Sequence, residues 1–499
     1  MPVQDEDPYD SRGMSTVKIT LNGQEVDVDP TKPLIQACHE HAEHVPMYCY
    51  HPGLSPVGSC RICQVNVKIG EMPERTVVAC RTPITEGMVV NTEAPGAHEA
   101  RKLCLEFLLK NHPLDCPICD KAGECDLQDY SFLEGQGEGR SVEPRRKLEK
   151  RKSLGDVIVL DQERCILCSR CVRFFEEVPK KAQLTVSDMG ARSCISTFAD
   201  RPLEGNYQGN IADICPVGAL TLKEFRFQAR VWNLKKTRST CGECSRGCSV
   251  TIEVLRNSDV KRVRPRHNPK VNDYWMCDRG RFAYPALNRS DRLEGAAARV
   301  EGGFRSLSVD AGLEMVMDSI RTNDNVVVCA SPWLTNEEGR ALASIAEAKG
   351  AKALVIETPK SSLADDLLHT EDESPNRRGL EALGFKSTLA AGVLELAQGA
   401  DVLVLVGERG ADLLGRDELG QLHGTRLVLF DETPHPSAVV QLGVPNAAER
   451  SGTWTNVDGV EGKIAMAKPP PRGVRPLASN LEAVAHGLAT TLASEGGPA

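Results

Sequence analysis

The spacing of apolar positions changes along the chain, and each change predicts a different architecture. Residues 16–21 and 25–29 alternate apolar and polar side chains around Asn22-Gly23, the signature of a tight hairpin. Pro33 opens a short helical stretch to about residue 42. Strand patterns return at 64–69 and 75–79, and this strand–helix–strand order predicts a small β-grasp domain. From 97 to 110 the spacing is helical, with Cys104, Phe107 and Leu108 on one face. Residues 134–153, EGQGEGRSVEPRRKLEKRKS, are charged and Gly-containing, which predicts an exposed connector. Further strands are expected at 249–255 and 260–265. Beyond residue 300, apolar runs at 326–329, 353–356, 402–406 and 427–430 alternate with helical stretches such as 336–349 and 387–397. Short buried strands alternating with helices predict a parallel α/β layer.

Composition narrows the class. A chain of 499 residues suggests roughly three domains. A net charge of -9 argues against nucleic acid as a partner and leaves room for a protein with a basic face. No stretch approaches the ~20 apolar residues that span a bilayer. The opening MPVQDEDPYDSRG reads as part of a disordered tail, residues 1–15, without the basic-then-apolar order of a signal peptide. The expectation is a cytosolic protein that meets membranes only through partners. In a reducing compartment an odd number of cysteines, nineteen, points to metal rather than disulfides.

Fifteen of those cysteines and one histidine, all within the first 277 residues, fall into four ligand sets. The first is Cys49, Cys60, Cys63 and Cys80, spaced C-x10-C-x2-C-x16-C with Gly53 and Gly58 in its first loop. One close pair plus two distant thiolates suits a 2Fe-2S cluster, because structural zinc prefers two matched knuckles. The second is His112, Cys116, Cys119 and Cys125. Alone it would suit zinc, and its place between stronger iron–sulfur sets favours 4Fe-4S. The alternative makes His112 a mere helix end and Cys104 the fourth ligand.

The third set is Cys165, Cys168, Cys171 and the remote Cys215-Pro216, the bacterial ferredoxin arrangement. Phe175 stands where that pattern's next cysteine belongs, and Ile211, Gln208 and Gly205 stand where its second run belongs. One 4Fe-4S cluster remains, and Cys215 completes it. The fourth set, Cys241, Cys244, Cys248 and Cys277, also predicts 4Fe-4S, with zinc as the alternative. Cys38, Cys104, Cys194 and Cys329 are read as small buried hydrophobes. Gly135, Gly137 and Gly139 follow no strand, so no dinucleotide loop is expected there. Nor is there a Walker loop or a nucleophile triad. No catalytic residue is assigned.

In this order the motifs VGSCRICQV, NHPLDCPICDKAGECDLQD, DQERCILCSRCVRF, ADICPVGALT and STCGECSRGCSV resemble the large iron–sulfur subunit of NADH:quinone oxidoreductase, respiratory complex I. The resemblance covers residues 16–295. It implies that electrons arrive from the flavin of an NADH-binding subunit at the Cys49 set, pass to the Cys165 set, then to the His112 set, and go on toward quinone. It places the Cys241 set beside that path. It implies as partners the flavoprotein subunit, a small 2Fe-2S subunit and connecting iron–sulfur subunits, on the cytoplasmic side of a bacterial inner membrane. The expected domains are 16–95, 96–135, a connector 136–154, 155–235, 236–295 and 296–499. The last resembles a reduced molybdopterin-oxidoreductase α/β fold, in SPWLTNEEGRALA, GADVLVLVGERGAD and ERSGTWTNVDGVEG. Arg279 stands where the molybdenum enzymes of that fold carry a lysine, and no molybdenum ligand is recognisable. Neither molybdopterin nor flavin is expected in this chain. The loops at 407–410 and 459–462 could cradle phosphate but carry Glu408, Asp412, Asp458 and Glu461. A formate dehydrogenase α subunit would keep both ferredoxin clusters, an iron-only hydrogenase would need a Cys-rich region after residue 300, and a zinc scaffold would carry no redox metal.

Overall fold

The computed structural model describes residues 16–198 and 201–495, and the expected tail at 1–15 lies outside them. The chain divides into two compact units, residues 1–231 and 232–499.

The first unit begins with β1 (Val17–Leu21) and β2 (Gln24–Val28), an antiparallel pair closed by Asn22 and Gly23, both at positive φ. Helix α1 (Leu34–Glu40) follows, then β3 (Gln64–Lys68), β4 (Arg75–Val78) and β5 (Val89–Asn91). The sheet order is β2-β1-β5-β3-β4, and β5 lies parallel to β1 with Thr20 opposite Val89. The inward residues of the alternating strands, Ile19, Leu21, Val65, Val67 and Val90, pack on Leu34, Ile35 and Cys38. The core of this small sheet also takes in Cys63 and Cys80, so packing and ligand placement share one set of contacts.

Helix α2 (Pro95–Asn111) has Pro at its first position, where no intrahelical N–H bond is lost. Its buried stripe is Ala97, Arg101 and Leu105. The expected face of Cys104, Phe107 and Leu108 is displaced by one residue, and Phe107 is 76% exposed. Arg101 moves the face: its buried guanidinium binds the carbonyls of Gln64 and Thr92 and pairs with Glu134. Three short helices complete the unit's scaffold, α3 (Asp126–Leu133), α4 (Arg170–Glu177) and α5 (Asn210–Ile214). The segment expected to be an exposed connector is mostly exposed, yet Arg140 pairs with Glu106, Lys110 with Glu143, and Lys150 with Asp115.

In the second unit a three-stranded antiparallel sheet (Leu234–Thr240, Ser249–Leu255, Asp259–Pro265) precedes an eight-stranded one. The larger sheet runs, edge to edge, Gly303–Leu307, Ala296–Val300, Ala438–Gly443, Arg426–Asp431, Val402–Val406, Val326–Ala330, Lys352–Glu357 and Lys386–Leu389. The last six are parallel and the first two antiparallel to their neighbours. One face sends Val326, Val328, Val402, Val404, Val428 and Phe430 against helices Val309–Arg321, Asn336–Lys349 and Leu477–Glu495. The other sends Val327, Cys329, Leu403, Leu405, Leu427 and Leu429 against Ala390–Gln398 and Gly410–Leu414. Burial on both faces explains why these strands read as unbroken apolar runs. The stretch expected to be helical at 387–397 begins as the edge strand Lys386–Leu389, and the helix starts at Ala390.

Candidate metal centres

The first ligand set sits at one end of the small sheet. Cys60 and Cys63 precede β3, Cys80 lies in a 3₁₀ turn after β4, and Cys49 comes from the loop after α1. The Cys49 N–H points at Cys60 Sγ, 3.4 Å away. Hydrogen bonds from the Cys60 and Cys80 thiols hold Cys49 far below the ordinary thiol range, and through the same contacts those two are pushed up. The four sulfurs therefore crowd one place.

His112 ends α2. Cys116 opens a 3₁₀ turn, Cys119 follows it, and Cys125 is the residue before α3. These four line one cavity with Arg164 and Gly218. A β-carbon on Gly218 would stand 2.2 Å from Cys119 Sγ, so only glycine fits there. The Nδ1 of His112 is buried without a hydrogen-bond partner. Burial, reinforced by Arg164, lowers this imidazole to about 4, which leaves it neutral with a free lone pair at pH 7. A buried, unpartnered ring nitrogen on a residue that lines one cavity with three cysteines fits metal ligation. Cys104 does not line this cavity; its thiol reaches the Arg61 carbonyl, 3.4 Å away, between two ligands of the first set.

In the third set Cys165 and Cys168 lie in the loop before α4, Cys171 in its first turn, and Cys215 at the end of α5. All four line a cavity with Leu160, Ile195 and Val217. Leu167 and Ser169 take positive φ on either side of Cys168, and the Leu167 N–H points at Cys165 Sγ. Burial pushes Cys165 up to about 12 and Cys168 up to about 11. Four thiolates in such a place need a cationic core to compensate their charge, which is what iron supplies.

The fourth set belongs to the second unit. Cys241, Cys244 and Cys248 form the turn between strands Leu234–Thr240 and Ser249–Leu255, closed by a 2.8 Å bond from Cys241 N–H to the Cys248 carbonyl. Cys277 caps helix Asp278–Arg281, accepting from Gly280 N–H at 3.4 Å. A β-carbon on Gly280 would lie 2.9 Å from Cys241 Sγ and 3.6 Å from Cys277 Sγ, which brings these ends of the motif together. Among the described residues no group of three or more His, Cys, Asp or Glu side chains is arranged to hold a single metal ion.

Contacts that the sequence pattern does not signal tie the sets of the first unit together. Arg170, on α4, donates to the carbonyl of Tyr50 at 2.5 Å and of Ile214 at 2.9 Å, the neighbours of Cys49 and Cys215. Arg173 donates to the Cys49 carbonyl itself. Between the third and second sets, Lys121 donates to the Ala212 carbonyl at 3.1 Å, and Asp126 N–H to that of Pro216 at 3.0 Å. The first and second sets also meet directly: the Tyr48 ring, beside Cys49, packs on Tyr130 of α3 with 5.3 Å between ring centroids. In the second unit His369 reaches Cys277, ninety-two residues away in sequence.

Two of the four remaining cysteines depart from expectation. Cys38 and Cys329 are buried, whereas Cys104 and Cys194 are half-buried and have polar partners. The Gly-containing loops are occupied by the chain itself. Asp431 accepts from Ala411 N–H at the start of helix Gly410–Leu414, and Glu408 turns inward to Arg450. Of the stretch 459–462, Gly459 and Val460 lie in the turn after strand Gly452–Thr455 and Glu461 and Gly462 begin strand Glu461–Ile464, and Asp458 beside it pairs with Arg246. No helix among the described residues is long and apolar enough to cross a membrane.

Four family models match in chain order. A 2Fe-2S iron–sulfur cluster binding domain covers residues 14–95. The NADH-ubiquinone oxidoreductase-G iron–sulfur binding region covers 101–140, and the ferredoxin-like domain of NADH-quinone oxidoreductase subunit 3 covers 155–221. A molybdopterin oxidoreductase Fe4S4 domain covers 234–289. The NADH-ubiquinone oxidoreductase 78 kDa subunit of Neurospora crassa is 36% identical over 78% of this chain and 51% of its own length. The corresponding NADH-quinone oxidoreductase subunit of Rickettsia bellii is 37% identical over 61% of this chain and 44% of its own. The chain thus spans about half the length of the curated relatives it matches. A solved NAD+-reducing [NiFe]-hydrogenase in the H2-reduced state covers 44% of this chain and 92% of its own at 26% identity, with a TM-score of 0.39.

Proposed function

We propose that this chain, homologous to the large iron–sulfur subunit of NADH-quinone oxidoreductase, is a one-electron relay without a substrate site of its own. Bound iron–sulfur clusters supply sites that take up and release single electrons at set potentials. The residues present fit four of them. Cys49, Cys60, Cys63 and Cys80 would hold a 2Fe-2S cluster on a β-grasp scaffold. His112, Cys116, Cys119 and Cys125 would hold the first 4Fe-4S cluster, Cys165, Cys168, Cys171 and Cys215 the second, and Cys241, Cys244, Cys248 and Cys277 the third.

The observation that carries this reading is the tethering of the first three sets. Arg170 binds backbone on both sides of the first–third junction, Arg173 reaches from the third set to the Cys49 carbonyl, and Lys121 reaches from the second set to the Ala212 carbonyl beside the third. These bonds fix the ligand loops against one another, as a relay needs and separate zinc sites would not. His112 contributes a neutral ligand where the other sets use thiolate, which changes the charge of its cluster and so its potential.

In this reading the chain serves the NADH-oxidising arm of a proton-translocating NADH:quinone oxidoreductase. It takes electrons from a flavoprotein subunit and a small 2Fe-2S subunit and delivers them to connecting iron–sulfur subunits. It lies on the cytoplasmic face of a bacterial inner membrane, held there by its partners. The α/β sheet covers the fourth set and binds no pterin, since Asp431 already accepts the N–H at the start of helix Gly410–Leu414 and Asn456 those of Asp458 and Val460.

Metal analysis of the anaerobically purified protein tests the reading. One two-iron and three four-iron clusters require about fourteen irons and matching sulfide per chain. Zinc at any of the four sets, or iron without sulfide, would overturn it. For the second set, His112→Cys should keep a four-iron cluster with a shifted potential, and His112→Ala should change its spectrum.

A further inference from the structure

Between strand Lys352–Glu357 and helix Arg377–Ala382 the chain of the second unit leaves the sheet and returns at residues 358–376. This excursion clasps the turn that carries the fourth ligand set. The Ser245 N–H donates to the Asp372 carbonyl at 2.8 Å, Ser245 and Thr370 share a hydroxyl hydrogen bond at 2.9 Å, and Arg246 donates to the Leu368 carbonyl. At its centre is His369, 1% exposed, with Nδ1 3.6 Å from Cys277 Sγ.

The sulfur sets the direction of this contact: a cysteine that ligates a cluster is a thiolate without hydrogen, so the ring must donate. With the ring hydrogen on Nδ1, Nε2 can accept from the Ser361 hydroxyl 3.0 Å away, whose oxygen also accepts from the Leu363 N–H at 3.3 Å. Glu373, 3.8 Å from Nε2, would favour a second ring proton, and in that form too Nδ1 carries hydrogen. Both arrangements aim an N–H at Cys277, and the ring also bonds to Cys244 of the same set.

We propose that His369 donates its Nδ1–H to the Cys277 thiolate and so raises the reduction potential of the four-iron cluster held by Cys241, Cys244, Cys248 and Cys277. The proposal rests on the reading of that set as an iron–sulfur site. A cluster gains negative charge on reduction, and its sulfur ligands carry part of it. A donor aimed at a ligand sulfur stabilises the reduced state more than the oxidised one. Cys277 receives two such donors, Gly280 N–H from its own helix and His369 from the excursion. His369 is thus a positioning residue that the α/β sheet supplies to the cluster.

The test is redox titration of the full-length protein, followed by electron paramagnetic resonance, in wild type, His369→Phe and His369→Asn. Phenylalanine keeps the ring and removes the donor; the asparagine amide places an N–H near the position of Nδ1. In His369→Phe the fourth cluster should become harder to reduce by about tenfold at a fixed potential, 59 mV for one electron. The other three clusters should be unmoved, and His369→Asn should recover part of the shift. If His369→Phe loses about four irons, Ser361→Ala decides, because it frees the ring while leaving the donor; a smaller shift of the same sign is expected. An unmoved potential with iron content intact overturns the inference alone. Wild-type protein without a fourth cluster overturns it together with the assignment of the set.

Discussion

The first unit and the α/β sheet of the second solve the same problem by different means. In the sheet, every residue from Val402 to Val406 is buried, and alternate side chains feed two separate cores. Its interior is a continuous apolar layer. In the first unit Cys63 and Cys80 belong to the core itself, while Leu160, Ile195 and Val217 border the cavity enclosed by Cys165, Cys168, Cys171 and Cys215. Apolar packing there is built around ligands, so a bound cluster is a structural element as well as a redox centre. Apolar burial can hold a fold together, but fixing loop-borne sulfurs in register takes metal and arginine bridges.

The comparison breaks most sharply on removal of iron. Metal binding to sites built from loops contributes directly to folding free energy. Iron-free protein should lose amide exchange protection across residues 96–231, while the strands at 326–330 and 402–406 keep theirs. Equal loss in both regions would show that the sheet depends on the clusters too.

Local damage to one site should sharpen it. Gly218→Ala puts a methyl group 2.2 Å from Cys119 Sγ. The second cluster should be lost, about four of some fourteen irons, with the sheet's unfolding unchanged. Full iron content would show that the backbone at Gly218 gives way.

The reverse experiment targets the sheet. Phe430 is 1% exposed in the larger core. Phe430→Ala should cost about 3–5 kcal/mol of stability by transfer and cavity terms, measured by denaturant unfolding. The spectra of the clusters in the first unit should be unaltered. A change in their potentials would contradict the independence of the two layers.

How much of this could be read from sequence follows the same division. The sheet was legible because burial on both faces leaves unbroken apolar runs, and strand 402–406 is found at the bounds expected. The strand Lys386–Leu389 was not, since an edge strand of Lys, Ser, Thr and Leu merges into the helix after it. The face of α2 shifted because Arg101, a residue that pattern reading places in solvent, is buried by carbonyls distant in sequence. Ligand sets could be expected as groupings because spacing constrains which sulfurs a turn can gather. The bridges between them could not, since they are made by Arg170, Arg173 and Lys121 binding backbone far away in the chain. His369 was invisible for the same reason: one histidine in a loop carries no spacing signal.

The smallest expected effect concerns Asp431, where the sheet carries a charge at the end of a core strand. Burial raises its carboxyl to about 6, against an ordinary 3.8, although Ala411 and Thr433 N–H groups donate to it. A raised acid binds its proton more tightly folded than unfolded. The stability it contributes is therefore fully present below pH 3.8 and is lost as pH rises through about 6. Asp431→Asn keeps an oxygen for the Ala411 N–H and removes the titration. Relative to wild type, the variant should gain stability as pH rises from 4 to 6 and hold that gain above. The size is on the order of 1–3 kcal/mol. The measurement is the difference in unfolding free energy between the two proteins at each pH, in which the contributions of the clusters cancel. A difference that stays flat across the window would mean that the two N–H donors already hold the carboxylate ionised, and that this edge of the sheet tolerates charge as readily as the ligand loops of the first unit do.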